Sequence, residues 1–350
     1  MTGLLLLSAL CTAEPDIDAM RDGGVAYLRQ TQRDDGSWNE RESVGATALA
    51  VTALLRSGVP ADDPTVRDGL AFLMSHRQPG GGIYVDGSNH RNYDTCLAVL
   101  ALKAAGQEDV AEQVAFLKSL QWDETEGISR DNAAYGGQGY GSHRRPDLSN
   151  TQFFVDALHE AGIGDDDPAM QKALVFLSRS QNLESEHNTL PWAGKIEDGG
   201  FYYTPAAGGE SKAGVTDDGG LRSYASMTYA GLKSLIYAGL DADDPRVIAA
   251  REWLARHYTL DANPGLDQQG LFYYYHTLAK TLGAAGEDTF VSADGTAHDW
   301  RADVIAALAK RQQPDGSWVN PQDRWMEGDE RLVTSYALLA LSYAAKDNVD

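Results

Sequence analysis

Apolar positions recur at helical spacing through most of the chain. From about Ser43 to Ser57, Ala46, Leu49, Ala50, Ala53 and Leu54 follow i, i+3, i+4 steps, and Gly58 closes the run. The segment before it, about Ile17 to Thr31, is amphipathic. This pairing repeats along the chain, and the second segments align on a Thr near their starts: Thr47, Thr95, Thr151, Thr228, Thr277 and Thr334. These second segments are rich in Ala, Gly and Ser and suit close packing on both sides. The first segments, such as Pro64 to Arg77 and Pro245 to His257, carry charge along one face. The pattern predicts an all-α fold in which the second helices form an inner ring and the first helices an outer one. Six helical hairpins closing on themselves make an α6-α6 toroid. No alternating strand pattern competes and no linker interrupts residues 14–350, which are expected to form one domain.

The punctuation supports the repeat. Gln32-Arg33-Asp34-Asp35-Gly36-Ser37-Trp38 returns as Gln312-Gln313-Pro314-Asp315-Gly316-Ser317-Trp318, and Gln78-Pro79-Gly80-Gly81-Gly82-Ile83-Tyr84 is a degenerate copy. Weaker copies are Gly139-Tyr140, Gly200-Phe201-Tyr202 and Gly270-Leu271-Phe272, which sets a period of roughly 45 to 70 residues. In each turn Gly permits a tight or positive-φ backbone, Gln caps exposed backbone groups and the aromatic wedges between units. Three acidic connectors, Asp62-Asp63-Pro64, Asp166-Asp167-Pro168 and Asp243-Asp244-Pro245, read as helix starts with an Asp cap and Pro in the first turn. The Gly-rich stretch from about Gln181 to Gly220 reads as a loop over one mouth of the ring.

Composition narrows the partners. A formal net charge of −22 over 350 residues excludes nucleic acid, whose phosphates need clustered Lys and Arg. Residues 1–13 contain a short apolar run, Leu4 to Ala13, ending Cys11-Thr12-Ala13, and read as an export signal, although no basic residue precedes it. The run is too short to span a bilayer, so no transmembrane segment is expected. Lipid attachment at Cys11 is the lesser reading because Leu10 is large for such a site. After cleavage only Cys96 remains, and no intrachain disulfide is possible.

The residues just before the aligned Thr positions, Ala46, Asp94, Asn150, Met227, His276 and Val333, are expected at one level of the central cavity. Asp94 and His276 there make a candidate acid-base constellation, with the capping of their own helices as the bland alternative. Arg41, Arg91, Arg144, Arg145, Arg222 and Arg331 lie just ahead of the inner helices, as an anion-binding collar or as partners of Glu40, Glu42, Asp147 and Glu330. Aromatic runs at Phe201 to Tyr203, Phe272 to Tyr275 and Trp325 either line the cavity, with Tyr274, Tyr275 and Trp325 as candidates, or pack repeat on repeat.

The Gln-x-x-x-Gly-x-Trp turns and paired helices resemble the prenyltransferase and squalene-cyclase repeat superfamily over nearly the whole mature chain. Asp241-Ala242-Asp243-Asp244 is similar to the Asp-x-Asp-Asp of its proton-initiated cyclases, but the two sister connectors carry the same acids where a helix wants a cap. Arg91-Asn92-Tyr93-Asp94-Thr95-Cys96 and Tyr275-His276-Thr277 resemble the zinc repeats of protein prenyltransferase β-subunits. That resemblance implies Asp94, Cys96 and His276 as Zn²⁺ ligands and Arg91 facing a diphosphate. It departs from the family in placing them in units two and five. The leading reading, resting mainly on this resemblance and on Arg91, Asp94 and His276, is an exported enzyme or enzyme-like protein holding an isoprenoid-type small molecule in its central cavity; the candidate residues are Asp94, His276 and Tyr275 as catalytic and Arg91, Arg145, Asn150, Arg222, Tyr274 and Trp325 as binding. Two other readings stand beside it: a carbohydrate-active lyase or hydrolase using Tyr275 or His276 as acid/base, and a non-catalytic binding scaffold. An apolar-aromatic lining favours isoprenoid, a mixed Arg/Asn/Tyr lining sugar, and a filled centre a scaffold.

Overall fold

The computed structural model describes residues 15–38, 44–141 and 145–345. The apolar run with Cys11 lies outside the described residues, as do Glu40, Arg41, Glu42 and Arg144. The helices in chain order are α1 (Ile17–Thr31), α2 (Val44–Arg56), α3 (Pro64–Ser75), α4 (Arg91–Ala104), α5 (Ala111–Ser119), α6 (Leu148–Glu160), α7 (Pro168–Arg179), the single turn α8 (Ala193–Ile196), α9 (Ala225–Tyr237), α10 (Pro245–His257), α11 (Leu271–Ala284), α12 (Trp300–Ala309) and α13 (Glu330–Ala344). A two-residue antiparallel pair, β1 (Phe290–Val291) with β2 (Ala297–His298), is the one sheet among the described residues.

The inner helices α2, α4, α6, α9, α11 and α13 each pack on the next, and α13 packs back on α2. The ring is therefore closed, and the fold is an all-α toroid. Burial separates the two layers as the pattern predicts. In α9 every residue from Ala225 to Leu235 is buried, whereas α1 buries only Met20, Gly24 and Leu28, one stripe four residues apart. The outer helices lie against the ring, α3 on α2, α10 on α9 and α1 on α13 among them.

Two devices set the register. Asp63, Asp167 and Asp244 are N-caps whose carboxylates accept from the backbone N–H of Thr65, Ala169 and Arg246, each with Pro in the first turn. The Asp241-Ala242-Asp243-Asp244 run is accordingly a helix start on the outer layer. The second device is the turn. The aligned Thr hydroxyls accept the backbone N–H of the residue at the turn's aromatic position: Ile83 to Thr95 (3.0 Å), Gln138 to Thr151 (2.9 Å), Phe201 to Thr228 (3.0 Å) and Trp318 to Thr334 (3.0 Å). The turn Gln reaches on to the next outer helix, Gln32 to the Thr65 carbonyl (2.9 Å) and Gln312 to the Met20 carbonyl (2.9 Å).

Two of the weak copies are misplaced by the sequence reading, and the degenerate copy is shifted by one, since Gly81 is its positive-φ glycine and Ile83, not Tyr84, stands at the aromatic position. The third turn is Gln121 with Gly136, Gly137 and Gln138, since Gln121 donates to the Gly136 and Ala169 carbonyls. An insertion between Gln and Gly hides it, and Tyr140 lies outside the turn, in the wall of the axial cavity. Gly270 is the left-handed N-cap of α11, with Phe272 already inside the helix.

The turn glycines press backbone on backbone. At Gly316 (φ +88°) an added Cβ would stand 2.4 Å from the Gly23 carbonyl oxygen of α1. Gly316→Ala is expected to cost about 2 to 3 kcal/mol, combining a left-handed residue with a clash that neither helix can relieve. Gly58→Ala is the control, since it has positive φ but nothing within 4 Å. Urea unfolding of the two variants checks the difference.

Candidate functional site

The N-terminal halves of the inner helices converge on an axial cavity of about 350 Å³. Its wall is mainly aromatic and apolar: Tyr93 from α4, Phe153 from α6, Met227 from α9, Tyr273 from α11, and Leu332 and Tyr336 from α13. Loops supply Tyr140, Tyr203, Lys212 and Tyr224. Trp325 and Met326 stand at the rim, 45% and 51% exposed, with φ of 61° and 67° in the left-handed region that such side chains avoid. Glu327 holds this strained rim down. Its buried carboxylate accepts from the backbone N–H of Phe272 (3.0 Å) and Tyr273 (2.8 Å) at the start of α11 and from Asn320 Nδ2 (2.6 Å).

Asp94 is the other carboxyl in the wall. It is 4% exposed; Oδ1 accepts from the Gly45 backbone N–H (3.0 Å) at the first turn of α2, and Oδ2 from the Ser88 hydroxyl (3.5 Å). The approach needs Gly45, where a Cβ would meet the Tyr93 ring at 2.9 Å and Asp94 Oδ1 at 3.0 Å. Burial pushes the Asp94 carboxyl up to about 7, against the two hydrogen bonds that favour its anion. No cation pairs with it among the described residues. At neutral pH a large share of Asp94 is a neutral acid in the wall of an aromatic chamber. The hydroxyls of Tyr93 and Tyr336 hydrogen-bond each other in the same wall, and burial keeps both phenols un-ionised.

Of the residues singled out from sequence, Asp94 and Trp325 line the cavity, as do Tyr203 and Tyr273 of the aromatic runs and Ala46 and Met227 of the shared level. His276 does not. Its ring lies against Tyr336 (5.7 Å between centroids) and Tyr343 (5.9 Å), and burial, together with Lys280 and Lys233, drives it well below the usual imidazole range, so it is neutral. Tyr274 and Tyr275 turn away from the axis, their hydroxyls donating to the Thr259 (2.7 Å) and Leu260 (2.5 Å) carbonyls. Asn150 completes the cap of α6 by donating to Asp147 Oδ2 (2.9 Å). Arg91 donates to the Gly141 carbonyl, exposed Arg222 to that of Val215, and Arg145 to Glu210, so among the described residues the arginines form no common collar.

No three His, Cys, Asp or Glu side chains gather as a metal site among the described residues. Asp94 and Cys96 are two apart on one helix and face different ways. The Cys96 thiol is buried against Asn92 Oδ1 (3.5 Å), and burial pushes it well above the usual thiol range. The zinc set implied by the resemblance is not assembled.

The wall residues that were missed share a simple spacing. Tyr93, Ser149, Ser226 and Leu332 lie two before the aligned Thr, and Leu49, Phe153 and Tyr336 two after it. An i, i+4 pair straddling the Thr faces the axis, while the residue just before it does so only in some units. Lys212 and Glu327 come from loops and carry no such signal.

Fold and cavity together define an α/α toroid with an aromatic-lined axial chamber and two buried carboxyls in its wall, Asp94 and Glu327, both raised by burial. No family model matches the chain. A curated squalene–hopene cyclase from Bradyrhizobium diazoefficiens is 36% identical over 124 residues, covering 29% of this chain and 19% of that protein. The chain thus matches about a fifth of the length of the curated relatives. Among solved structures, the type II terpene cyclase MstE from Scytonema superposes with a TM-score of 0.56 at 14% identity, covering 93% of this chain and 97% of the other. Candida albicans protein geranylgeranyltransferase-I with GGPP gives 0.56 at 11% identity (92% and 90%). A possible GH105 member from Salmonella enterica gives 0.55 at 12% identity (98% of each chain). The chain is thus similar over part of its length to squalene–hopene cyclases and shares the α/α-toroid fold of these solved structures.

Proposed function

We propose that the chain is an enzyme that binds a linear isoprenoid in the axial cavity and starts its cyclisation by proton transfer from Asp94. Asp94 carries the reading: a buried carboxyl whose proton-bearing form persists near neutral pH is the group needed to protonate a weakly basic carbon–carbon double bond. The Asp94 O–H bond breaks, a C–H bond forms at one alkene carbon, and the other carbon becomes cationic. The next double bond of the chain closes onto that cation; a neighbouring carbon then loses a proton to water, solvent returns one to Asp94, and the product is an isomer of the substrate. Faces of Tyr93, Phe153, Tyr273 and Tyr336 supply the negative quadrupole that a migrating cation needs. Glu327 is unsuited to the role because three donors hold its carboxylate.

The apolar-aromatic wall favours isoprenoid over sugar. Related toroids support this, since MstE was crystallised with geranylgeranyl dihydroxybenzoate as substrate.

Incubation with farnesol, farnesyl diphosphate or farnesoic acid in D₂O tests the reading. The expected product is a cyclic isomer carrying one carbon-bound deuterium. Its rate of formation should fall as pH rises past about 7, because only protonated Asp94 donates. Absence of deuterated cyclic product from all three substrates overturns the proposal.

A further inference from the structure

Lys212 is the one Lys or Arg in the wall of the cavity among the described residues. An ammonium beside so much aromatic surface is costly unless it is paired. It pairs with Glu210, and its Nζ stands 4.2 Å over the centre of the Tyr203 ring. Arg145 binds the same Glu210 and lies 5.5 Å over the same ring. Glu210 therefore serves two cations; Asp147 and Arg324 also act on Lys212, so three cations face two carboxylates and leave a local surplus of positive charge in a strongly acidic protein.

The Glu210 backbone is fixed. It pairs with Thr204 in both directions (2.9 and 3.1 Å), and the Thr204 hydroxyl donates to the Pro146 carbonyl (2.6 Å). Its side chain, however, is 39% exposed against 21% for Lys212, so the carboxylate can turn to water while the ammonium stays in the wall. Asp94, by contrast, is almost fully buried, and no cation figures among the groups that act on it. The chamber is polarised, with an acid inside and a replaceable ion pair nearer solvent.

We infer that Lys212 and Arg145 form a head-group subsite for an isoprenoid ending in an oxyanion, a carboxylate or a phosphoryl group, and that Glu210 is the resident counter-ion which this head displaces. The inference rests on the isoprenoid reading of the cavity and adds the polarity of its ligand. The apolar tail points toward Asp94 and the charged end toward the loop carrying Lys212. Neutral chains leave the Glu210 pair intact and gain nothing from it.

Saturated probes that cannot cyclise isolate binding: 3,7,11-trimethyldodecanol, its phosphate monoester and 3,7,11-trimethyldodecanoic acid, titrated by calorimetry into the full chain. The anionic probes are expected to bind at least about tenfold more tightly than the alcohol, as for a charge-assisted contact. Lys212→Gln should erase that preference while leaving the alcohol's Kd unchanged, which shows that the variant is folded. Glu210→Gln should tighten the anions further by removing their competitor. The tighter of the two anions identifies the head group. Equal binding of alcohol and anions, or a preference that survives Lys212→Gln, overturns the subsite and leaves the isoprenoid reading standing. Failure of all three probes to bind overturns both.

Discussion

Asp94→Asn is expected to lower turnover by about 10²- to 10⁴-fold, the usual contribution of a positioned acid, while a saturated polyprenyl alcohol still binds. The amide fits the same space and accepts the Gly45 N–H, but it has no proton to give. The same substitution should stabilise the fold at alkaline pH. The Asp94 carboxyl stands at about 7 in the folded chain, above its ordinary 3.8, so the native state holds that proton more tightly. That stabilisation is complete below pH ~4 and is lost as pH rises through ~7, leaving a buried, unpaired charge. Asn carries no such charge. Thermal melts should show the variant more stable than wild type at pH 8, with the gap closing toward pH 4.5. A variant less stable at every pH would give Asp94 a packing role and remove it from the mechanism.

The second large effect lies below the chamber. Asp156 on α6 receives Lys233 of α9 (2.6 Å) and Lys280 of α11 (2.8 Å), all three almost fully buried. Lys233 also donates to Gln152 (2.7 Å). Burial pulls Lys233 down to about 8; it opposes the charge of Lys280 as well, but Asp156 outweighs it and holds Lys280 above the usual lysine range. Asp156→Ala would strand two ammonium groups in the core of the ring. The expected loss is about 3 to 5 kcal/mol, read as a lower urea midpoint. Replacing Asp156, Lys233 and Lys280 together by apolar residues of similar size should recover most of it, because no unpaired charge is then left. A small effect of the single substitution would mean that water reaches the cluster.

How far the site could be read from sequence follows from where its parts sit. The inner helices and their register were legible because one residue type, the aligned Thr, does one job in successive turns, accepting the N–H at the aromatic position. The acidic connectors were legible for the same reason. Asp94 was visible because it sits on that register, beside its Thr. His276 sits there too, but packs against Tyr336 and Tyr343. One-residue level matching cannot separate the two, since slight rotations of neighbouring helices decide which side chain meets the axis. Lys212 and Glu327 were beyond reach for a different reason. Their positions depend on loop paths, a hairpin against Thr204 in one case and a strained rim over α11 in the other, and loop conformation leaves no periodic trace. The arginines ahead of the inner helices mislead because a long side chain takes the nearest carbonyl or carboxylate rather than the direction its helix suggests.

The contact of Gln312 with Met20 joins positions 292 apart. Open repeat arrays end in specialised capping units, and shortening one merely shortens it. Here the last turn is seated by the first helix, so each repeat is its neighbour's cap. Deleting any one repeat should expose two apolar faces at once, whereas moving the chain break to another surface connector, such as that around Gly106, exposes none. The sequence is linear, but the cooperative unit has no first member.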